Sequence, residues 1–167
     1  MQTPEGTVAE RLDGLADAEL RACCAADLWV EAVTAGQPYA TLDALLDTSD
    51  AAVAALDDVA LEQALSAHPR IGERASGHTR EDNWSRTEQA GALTAGSDVT
   101  ARLAADNVAY EERFDRVFLI RAAGRTAEQM YDELQARLGN DDDAERAVVL
   151  HELAAIVRLR LARLVTE

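Results

Sequence analysis

The sequence predicts an all-α protein, a single-domain bundle of about eight helices with a short extended segment near residues 117–122. Alanine supplies much of the 48% hydrophobic content while aromatic residues make up only 4%, which favours closely packed helices over a sandwich or barrel. Apolar residues recur at spacings of three and four, and caps and glycines separate these stretches at helical lengths. The 167 residues suit one compact domain that spans 1–167.

Polar caps and glycines mark the helix boundaries in the first third of the chain. Residues 1–6 are expected to form a loose tail, and the first helix is expected to start after Gly14 with Asp17 as its N-cap. A second helix is expected to end at Gly36, because glycine is favoured just past the last turn. Thr41 is then expected to cap a third helix.

The polar run 47–50 is expected to break the third helix, so that two short helices, 51–56 and 58–67, follow it. The second of these runs into His68 and stops at Pro69, which lacks an N–H and disfavours a helical residue before it. A helix exit with a fixed backbone is therefore predicted at the histidine.

Four helices are expected in the second half of the chain. They are expected to begin after Ser85, Ser97 and Thr126 and at Asp141. The apolar run 117–120 is expected to be extended, because a glycine and a capping box follow it almost at once. The last helix is expected to bury one stripe of apolar side chains at spacings of three and four. The residues of that stripe are Ala147, Leu150, Ala154, Val157, Leu161 and Leu164.

The formal net charge of −15, from 31 acidic and 16 basic residues, argues against nucleic acid and anionic membranes as partners. No apolar run approaches the roughly 20 residues of a membrane span. The N-terminus lacks a basic segment followed by an apolar one, so no secretory signal is expected. Cys23 and Cys24 are neighbours and are expected to be small buried residues without a disulfide. A cytoplasmic protein is expected.

His68 is the first candidate for chemistry, because histidine is the side chain best suited to proton transfer near neutral pH. Its position at a helix exit before Pro69 would point the ring outward from a fixed backbone. The structural alternative is a surface histidine that benefits from the negative end of the helix dipole. Local sequence alone leaves both interpretations open.

The second candidate stretch follows one polar loop later. Ser85 and Glu88 have the spacing of a capping box, which needs no function to explain it. The same pattern would place a hydroxyl, a carboxylate and the Gln89 amide at a helix N-terminus. Such an end presents free N–H groups and favours anions.

Other chemistries lack their motifs. No glycine-rich phosphate loop, Gly-x-Ser-x-Gly elbow or paired-cysteine zinc spacing occurs. The three histidines and nearby glutamates lack a helical i, i+4 histidine pair, so no metal site is expected. Lysine is missing altogether, which excludes Schiff-base catalysis. The remaining side chains suit cofactor-free proton transfer on a small anion.

Six blocks of sequence, spread over nearly the whole chain, fall in one characteristic order and spacing. They are residues 68–72, 84–91, 110–114, 118–125, 137–140 and 156–161. Together they resemble the OHCU decarboxylases of the ureide pathway. That family converts 2-oxo-4-hydroxy-4-carboxy-5-ureidoimidazoline (OHCU) to (S)-allantoin, the last step from urate to allantoin. The resemblance implies a helical, commonly homodimeric lyase of purine metabolism that needs no cofactor and no metal.

The resemblance also implies roles for individual residues. His68 matches the family's catalytic histidine, Glu88 is expected near it, and Arg160 is the best match for a pocket arginine, with Arg158 as its competitor. The expected substrate-binding residues are Pro69, Ser85, Arg86, Thr87, Glu88, Gln89, Phe118, Leu119, Ile120, Arg121 and Ala122. In the last five, backbone groups are expected to hold the ureido or ring atoms.

The chain departs from many relatives at two places. It has Arg70-Ile71 where they have Asp-Leu, which resembles a subfamily variant, and Arg121 where they have a small residue or cysteine. The alternative to an enzyme is a non-catalytic, acidic helical module that binds a protein partner. That alternative predicts that His68, Ser85 and Glu88 serve only as helix-end groups.

Overall fold

The computed structural model describes residues 7–73, 77–93 and 96–167, with only the backbone at 92, 93 and 97. Over these residues it shows helices and connecting segments without a β-strand, so the all-α prediction is confirmed. The expected loose tail, residues 1–6, lies outside the described residues. The chain divides into two compact units. The first consists of two segments, the residues up to Ala64 and the residues Ala154–Glu167, and the second spans Leu65–Leu153. The single-domain expectation stays a prediction.

The first unit contains the N-terminal helices and the end of the last one. They are α1 (Val8–Asp13), α2 (Asp17–Cys23), α3 (Asp27–Ala35), α4 (Leu42–Ala54) and α5 (Asp58–Leu65). Helix α1, which begins with a capping box between Thr7 and Glu10, was not predicted from the sequence. Ala16, and not Asp17, is the N-cap of α2, because the Glu19 carboxylate accepts the Ala16 N–H at 3.0 Å. Thr41 caps α4 as predicted.

Helix α4 is continuous, so the predicted break at 47–50 is wrong. Its polar side chains are bonded in ways that leave the helix intact. The Thr48 hydroxyl donates to Ala44 O at 2.9 Å, and Ser49 Oγ accepts the indole N–H of Trp29 on α3 at 3.1 Å. Both Trp29 and Ser49 are fully buried. Tertiary packing of α3 on α4 therefore overrides the local preference of these residues for turns.

The second unit contains the remaining helices and the start of the last one. They are α6 (Arg80–Glu88), α7 (Ala90–Leu93), α8 (Ser97–Phe114), α9 (Ala127–Leu138) and α10 (Asp142–Thr166). Thr126 forms the predicted capping box of α9. Gly96, and not Ser97, is the N-cap of α8. The short helices α1 and α7 bring the described helices to ten, against about eight expected.

The core of the second unit lies between α8 and α9. Tyr110 packs against Phe114 and Phe118, with ring centroids 4.8 and 5.2 Å apart. Met130 and Leu134 of α9 are fully buried in the same cluster. Burying such side chains contributes about 1.5–3 kcal/mol each, so this cluster anchors the second unit.

The buried face of α10 differs from the predicted stripe. Val157, Leu161 and Leu164 are buried as expected, but Ala147 is exposed and Leu150 and Ala154 are only partly buried. Two carboxylates and an arginine are among the buried residues, which are Glu145, Val149, Glu152, Leu153, Ile156, Val157, Arg160, Leu161, Leu164 and Val165. Apolar periodicity missed this face because several of its members are charged.

Neither α10 nor any other described helix is long and apolar enough to cross a membrane. Both cysteines are buried, as predicted.

Candidate active site

His68 lies at the exit of α5, as the following proline predicts. The helix ends at Leu65, two residues earlier than expected, and the His68 N–H donates to Leu65 O at 3.0 Å. His68 and Pro69 are both partly buried. The backbone at the histidine is therefore fixed by a closing turn on one side and a proline on the other.

The residues after Pro69 form a tight turn. Glu73 N–H donates to Arg70 O at 3.0 Å, and Gly72, the third residue of the turn, has φ +91°. A positive φ at this position is the requirement of a type II turn, and glycine meets it without a Cβ penalty. Ile71, the second residue of the turn, is buried in the core of the second unit.

Gln89 joins the two stretches that the sequence singled out. Its amide Nε2 donates to Pro69 O at 3.4 Å, and its Oε1 accepts the Gly72 N–H at 3.2 Å. Gln89, which follows Glu88 in the chain, is thus hydrogen-bonded to Pro69, which follows His68. The Gln89 side chain is buried, and both hydrogen bonds are partly buried. The structure therefore brings the loop that carries His68 against the end of α6 that carries Glu88.

The predicted capping box at Ser85 is wrong. Helix α6 begins at Arg80, where Thr79 and Asp82 form the capping box, with Thr79 Oγ1 accepting the Asp82 N–H at 3.2 Å. Ser85 lies inside the helix, and Glu88 is its last residue. The proposal that a helix N-terminus at Ser85 binds an anion falls with this correction.

One face of α6 is buried instead. Trp84 and Ser85 are buried together with Glu88 and Gln89 one turn later, while Thr87 is exposed. Arg86 bonds Gly77 O at 2.8 Å and also the Asn83 side chain. Of the predicted segment 85–89, the hydroxyl, carboxylate and amide residues share the buried face.

Segment 117–122, which was predicted to be extended, belongs to no helix or strand, so this apolar stretch does not continue α8, which ends at Phe114. Arg137 Nη1 donates to Leu119 O at 2.7 Å, and the Arg121 N–H donates to Glu152 Oε2 at 2.9 Å. The Arg125 N–H donates to Ala122 O at 3.0 Å. These three backbone groups, which were predicted to hold substrate, have partners within the protein.

The side chains of this segment differ in burial. Phe118, Leu119, Ile120 and Ala122 are buried, and three of them belong to the core cluster of the second unit. The Arg121 side chain is exposed. The segment therefore forms part of the core of the second unit.

A buried ionic network, which was not predicted from the sequence, holds segment 117–122 in place. Glu145 Oε1 accepts from Arg137 at 2.5 Å and from the Tyr110 hydroxyl at 2.5 Å, and Glu145 Oε2 accepts from Asn140 at 3.1 Å. The Arg137 guanidinium lies over the Phe118 ring, 4.6 Å from its centroid. Burial, with the hydrogen bond to Glu145, raises the pKa of Tyr110. Arg137 and Asn140 thus act as structural residues.

Arg158 and Arg160 have different environments in the first unit. Arg158 is partly exposed and pairs with Asp50 at 2.8 Å and Asp47 at 3.3 Å; the hydrogen bond to Asp50 raises its pKa. Arg160 is 1% exposed. Two residues subtend about 200° on a helix, so the two guanidinium groups leave α10 on opposite sides.

Within the described ranges, no group of three or more histidine, cysteine or acidic residues is arranged to hold a metal ion. The expectation of a reaction without metal or cofactor stays a prediction.

The fold and the site define an all-α protein in which a His-Pro turn is bonded to the end of a short helix rich in polar side chains. The chain belongs to the OHCU decarboxylase family, since the family model described as OHCU decarboxylase matches residues 13–162. The family resemblance in the sequence is thereby confirmed.

Individual relatives agree with this assignment. The chain is 29% identical over 132 residues to 2-oxo-4-hydroxy-4-carboxy-5-ureidoimidazoline decarboxylase of Amia calva, covering 78% of this chain and 75% of that protein. It is 28% identical over 152 residues to uric acid degradation bifunctional protein TTL of Arabidopsis thaliana, covering 89% of this chain. The chain spans 47% of that longer relative.

A solved structure shares the fold. The crystal structure of an OHCU decarboxylase in the presence of (S)-allantoin is similar with a TM-score of 0.78 and 27% sequence identity. The match covers 92% of this chain and all of that one (100%).

Proposed function

We propose that this chain decarboxylates 2-oxo-4-hydroxy-4-carboxy-5-ureidoimidazoline to (S)-allantoin without a cofactor. The observation that carries the proposal is the Gln89 bridge, which joins the His68 loop to the end of α6 in a chain that matches the family over residues 13–162. The alternative of a non-catalytic module predicts that His68, Ser85 and Glu88 serve only as helix-end groups, whereas Ser85 lies inside α6 and is buried.

The substrate supplies its own electron sink. Its carboxylate is attached to a ring carbon next to a C=N bond, so the electrons of the breaking C–C bond move into that C=N bond as carbon dioxide leaves. The ring nitrogen of the former C=N bond takes up a proton as it receives the electron pair. The hydroxyl on the carbon that lost the carboxylate then loses its proton to become the carbonyl, while the carbon that bears the ureido group gains one. The protein has to orient the carboxylate and manage these three proton transfers.

His68 is the proposed proton-transfer residue. It would polarise the substrate hydroxyl or donate the proton, and Glu88 would orient the imidazole and favour its charged form. Arg160 is proposed to bind the anionic substrate. Arg158 is the weaker candidate because Asp47 and Asp50 already pair with it.

The handedness of the product provides the test. The ring that results from loss of carbon dioxide is planar, so protonation in water produces racemic allantoin. An enzyme that holds one face produces (S)-allantoin. Freshly generated substrate should therefore show a burst of circular dichroism only when the protein is added. Identical kinetics and no optical activity with the protein present would refute the proposal.

His68→Asn should lower kcat by at least about 10²-fold, since general acid–base catalysis contributes about 10²–10⁴-fold. Its circular dichroism spectrum should match that of the wild type.

Arg158→Ala is the matched control for Arg160→Ala. The Arg160 variant should raise KM, whereas the Arg158 variant should leave it within about threefold, a limit below the tenfold that 1.4 kcal/mol represents.

We further propose that the protein is a cytoplasmic homodimer that binds neither nucleic acid nor membranes. The net charge of −15 supports the last two points. Light scattering of the purified chain would test the dimer, and a monomer mass at enzyme concentrations that retain full activity would contradict it.

A further inference from the structure

The loop that carries His68 is also bonded from helix α8. The side-chain Nδ2 of Asn107 donates to Ile71 O at 3.0 Å. One turn later, Glu111 accepts two hydrogen bonds from the Arg70 guanidinium, at 2.5 and 3.1 Å. Residues four apart on a helix lie on the same face. One face of α8 therefore contacts two consecutive residues of the turn.

The two contacts differ in burial. Asn107 is 4% exposed, and the Ile71 carbonyl that it bonds belongs to a residue that is 6% exposed. The Arg70 and Glu111 side chains are 49% and 28% exposed, so water and salt screen their attraction. A buried carbonyl that loses a hydrogen-bond donor pays the cost of desolvation, whereas a solvated ion pair contributes little. Asn107 is therefore the stronger restraint.

We propose that Asn107 is a positioning residue, which holds the turn at 70–73 so that the ring of His68 keeps its catalytic placement. This inference rests on the proposed function. Gln89, the C-cap of α6, bonds Pro69 O and the Gly72 N–H, and Asn107 of α8 bonds the carbonyl of Ile71. Two side-chain amides thus hold the backbone of three of the four residues 69–72.

The consequence for catalysis follows from the geometry of proton transfer. A displacement of about 1 Å in a catalytic group can lower the rate by about 10²-fold. Removal of the Asn107 donor would let the turn relax. The ring of His68 is three residues from Ile71, and the intervening proline transmits the shift because its φ is fixed. The effect is expected in kcat more than in KM.

The test compares Asn107→Leu with Leu103→Ala. Leucine has nearly the shape of asparagine but cannot donate to Ile71 O. Leu103 lies one turn earlier on α8 and is 1% exposed, so its truncation destabilises the same helix while leaving the hydrogen bond to Ile71 O in place. Asn107→Leu should lower kcat by about 10- to 10²-fold with KM within threefold. Leu103→Ala should keep the wild-type kcat at a temperature where both variants are folded.

A second readout separates position from stability. The NMR titration curve of the His68 imidazole, recorded with His78 and His151 replaced by Gln, should shift in Asn107→Leu and stay unchanged in Leu103→Ala. Asn107→Ala, which adds no bulk, replaces Asn107→Leu if the latter does not fold. Equal kcat values and superimposable titration curves in the Asn107 and Leu103 variants would overturn the inference.

The two proposals fail in different ways. If the wild type does not accelerate decarboxylation, the proposed function is wrong, and the titration curves alone decide whether Asn107 positions His68. If the wild type is active and the Asn107 variant behaves like Leu103→Ala, only the positioning role is wrong. Glu111→Gln should change kcat by less than threefold, because its ion pair is solvated. A larger loss there than at Asn107 would reassign the restraint to the ion pair.

Discussion

Single residues explain why some motif positions are structural and others are candidates for chemistry. Arg137 and Asn140, which belong to one of the six sequence blocks, both bond Glu145. The network that these side chains form with Glu145 holds segment 117–122 in place. Sequence alone could not distinguish this role, because a buried ion pair leaves no apolar periodicity and its partners lie on different helices.

Replacement of Glu145 tests the network. Glu145→Gln keeps the volume but leaves the Arg137 guanidinium, 2% exposed, without its counter-ion. We expect a loss of about 3–5 kcal/mol in the free energy of unfolding, measured by urea denaturation. Asp142→Asn is the control, because its ion pair with Arg113 is solvated and should contribute less than about 1 kcal/mol. A loss of equal size in both variants would contradict the role of burial.

At the scale of secondary structure, the sequence predicts the existence of helices better than their ends. The caps at Thr41 and Thr126 were predicted correctly because their patterns have no nearby competitor. At α6 two capping patterns lie six residues apart, and the one at Thr79 begins the helix while the one at Ser85 falls inside it. Local sequence could not rank them, since the burial of Ser85 depends on distant residues.

Thr79→Ala should therefore destabilise the protein by about 1 kcal/mol, because the helix loses its N-cap hydrogen bond. Thr87→Ala is the matched control within α6. The Thr87 hydroxyl bonds Asn83 O one turn back, a contact that does not favour the helix, so its loss should change stability by less than about 0.5 kcal/mol. Thermal unfolding followed by circular dichroism measures both. A larger loss in the Thr87 variant would contradict the assigned start of α6.

At the scale of the whole molecule, composition and the six sequence blocks predicted the fold class and the family. They did not predict the division into two compact units, because that division depends on which contacts form between distant segments. The Gln89 bridge could not be predicted from the sequence either, since a separation of 20 positions along the chain does not determine whether Gln89 and Pro69 come into contact. Packing in three dimensions supplied both.

Alkaline stability should depend on the buried tyrosine. Burial and Glu145 raise the pKa of Tyr110 above its ordinary 10.0, so above pH 10 the unfolded chain releases a proton that the folded protein retains. The free energy of unfolding should then fall by about 1.4 kcal/mol per pH unit for that group. Tyr110→Phe should flatten this slope between about pH 10 and 11.5, measured by urea denaturation. The stabilisation that Tyr110 provides through its raised pKa is fully present below pH 10. An identical dependence of the free energy of unfolding on pH in Tyr110→Phe and in the wild type would contradict this role.

Gly72 combines φ +91° with open space, since a Cβ there would meet no atom within 4 Å. Only chirality, and not crowding, then opposes a side chain at this position. Chemical synthesis offers a mirror-image residue, and D-alanine prefers the backbone angle that L-alanine avoids. The D-alanine protein should resist urea better than the glycine original by about 0.4–1 kcal/mol, because its unfolded chain has fewer conformations to lose, while L-alanine should weaken it.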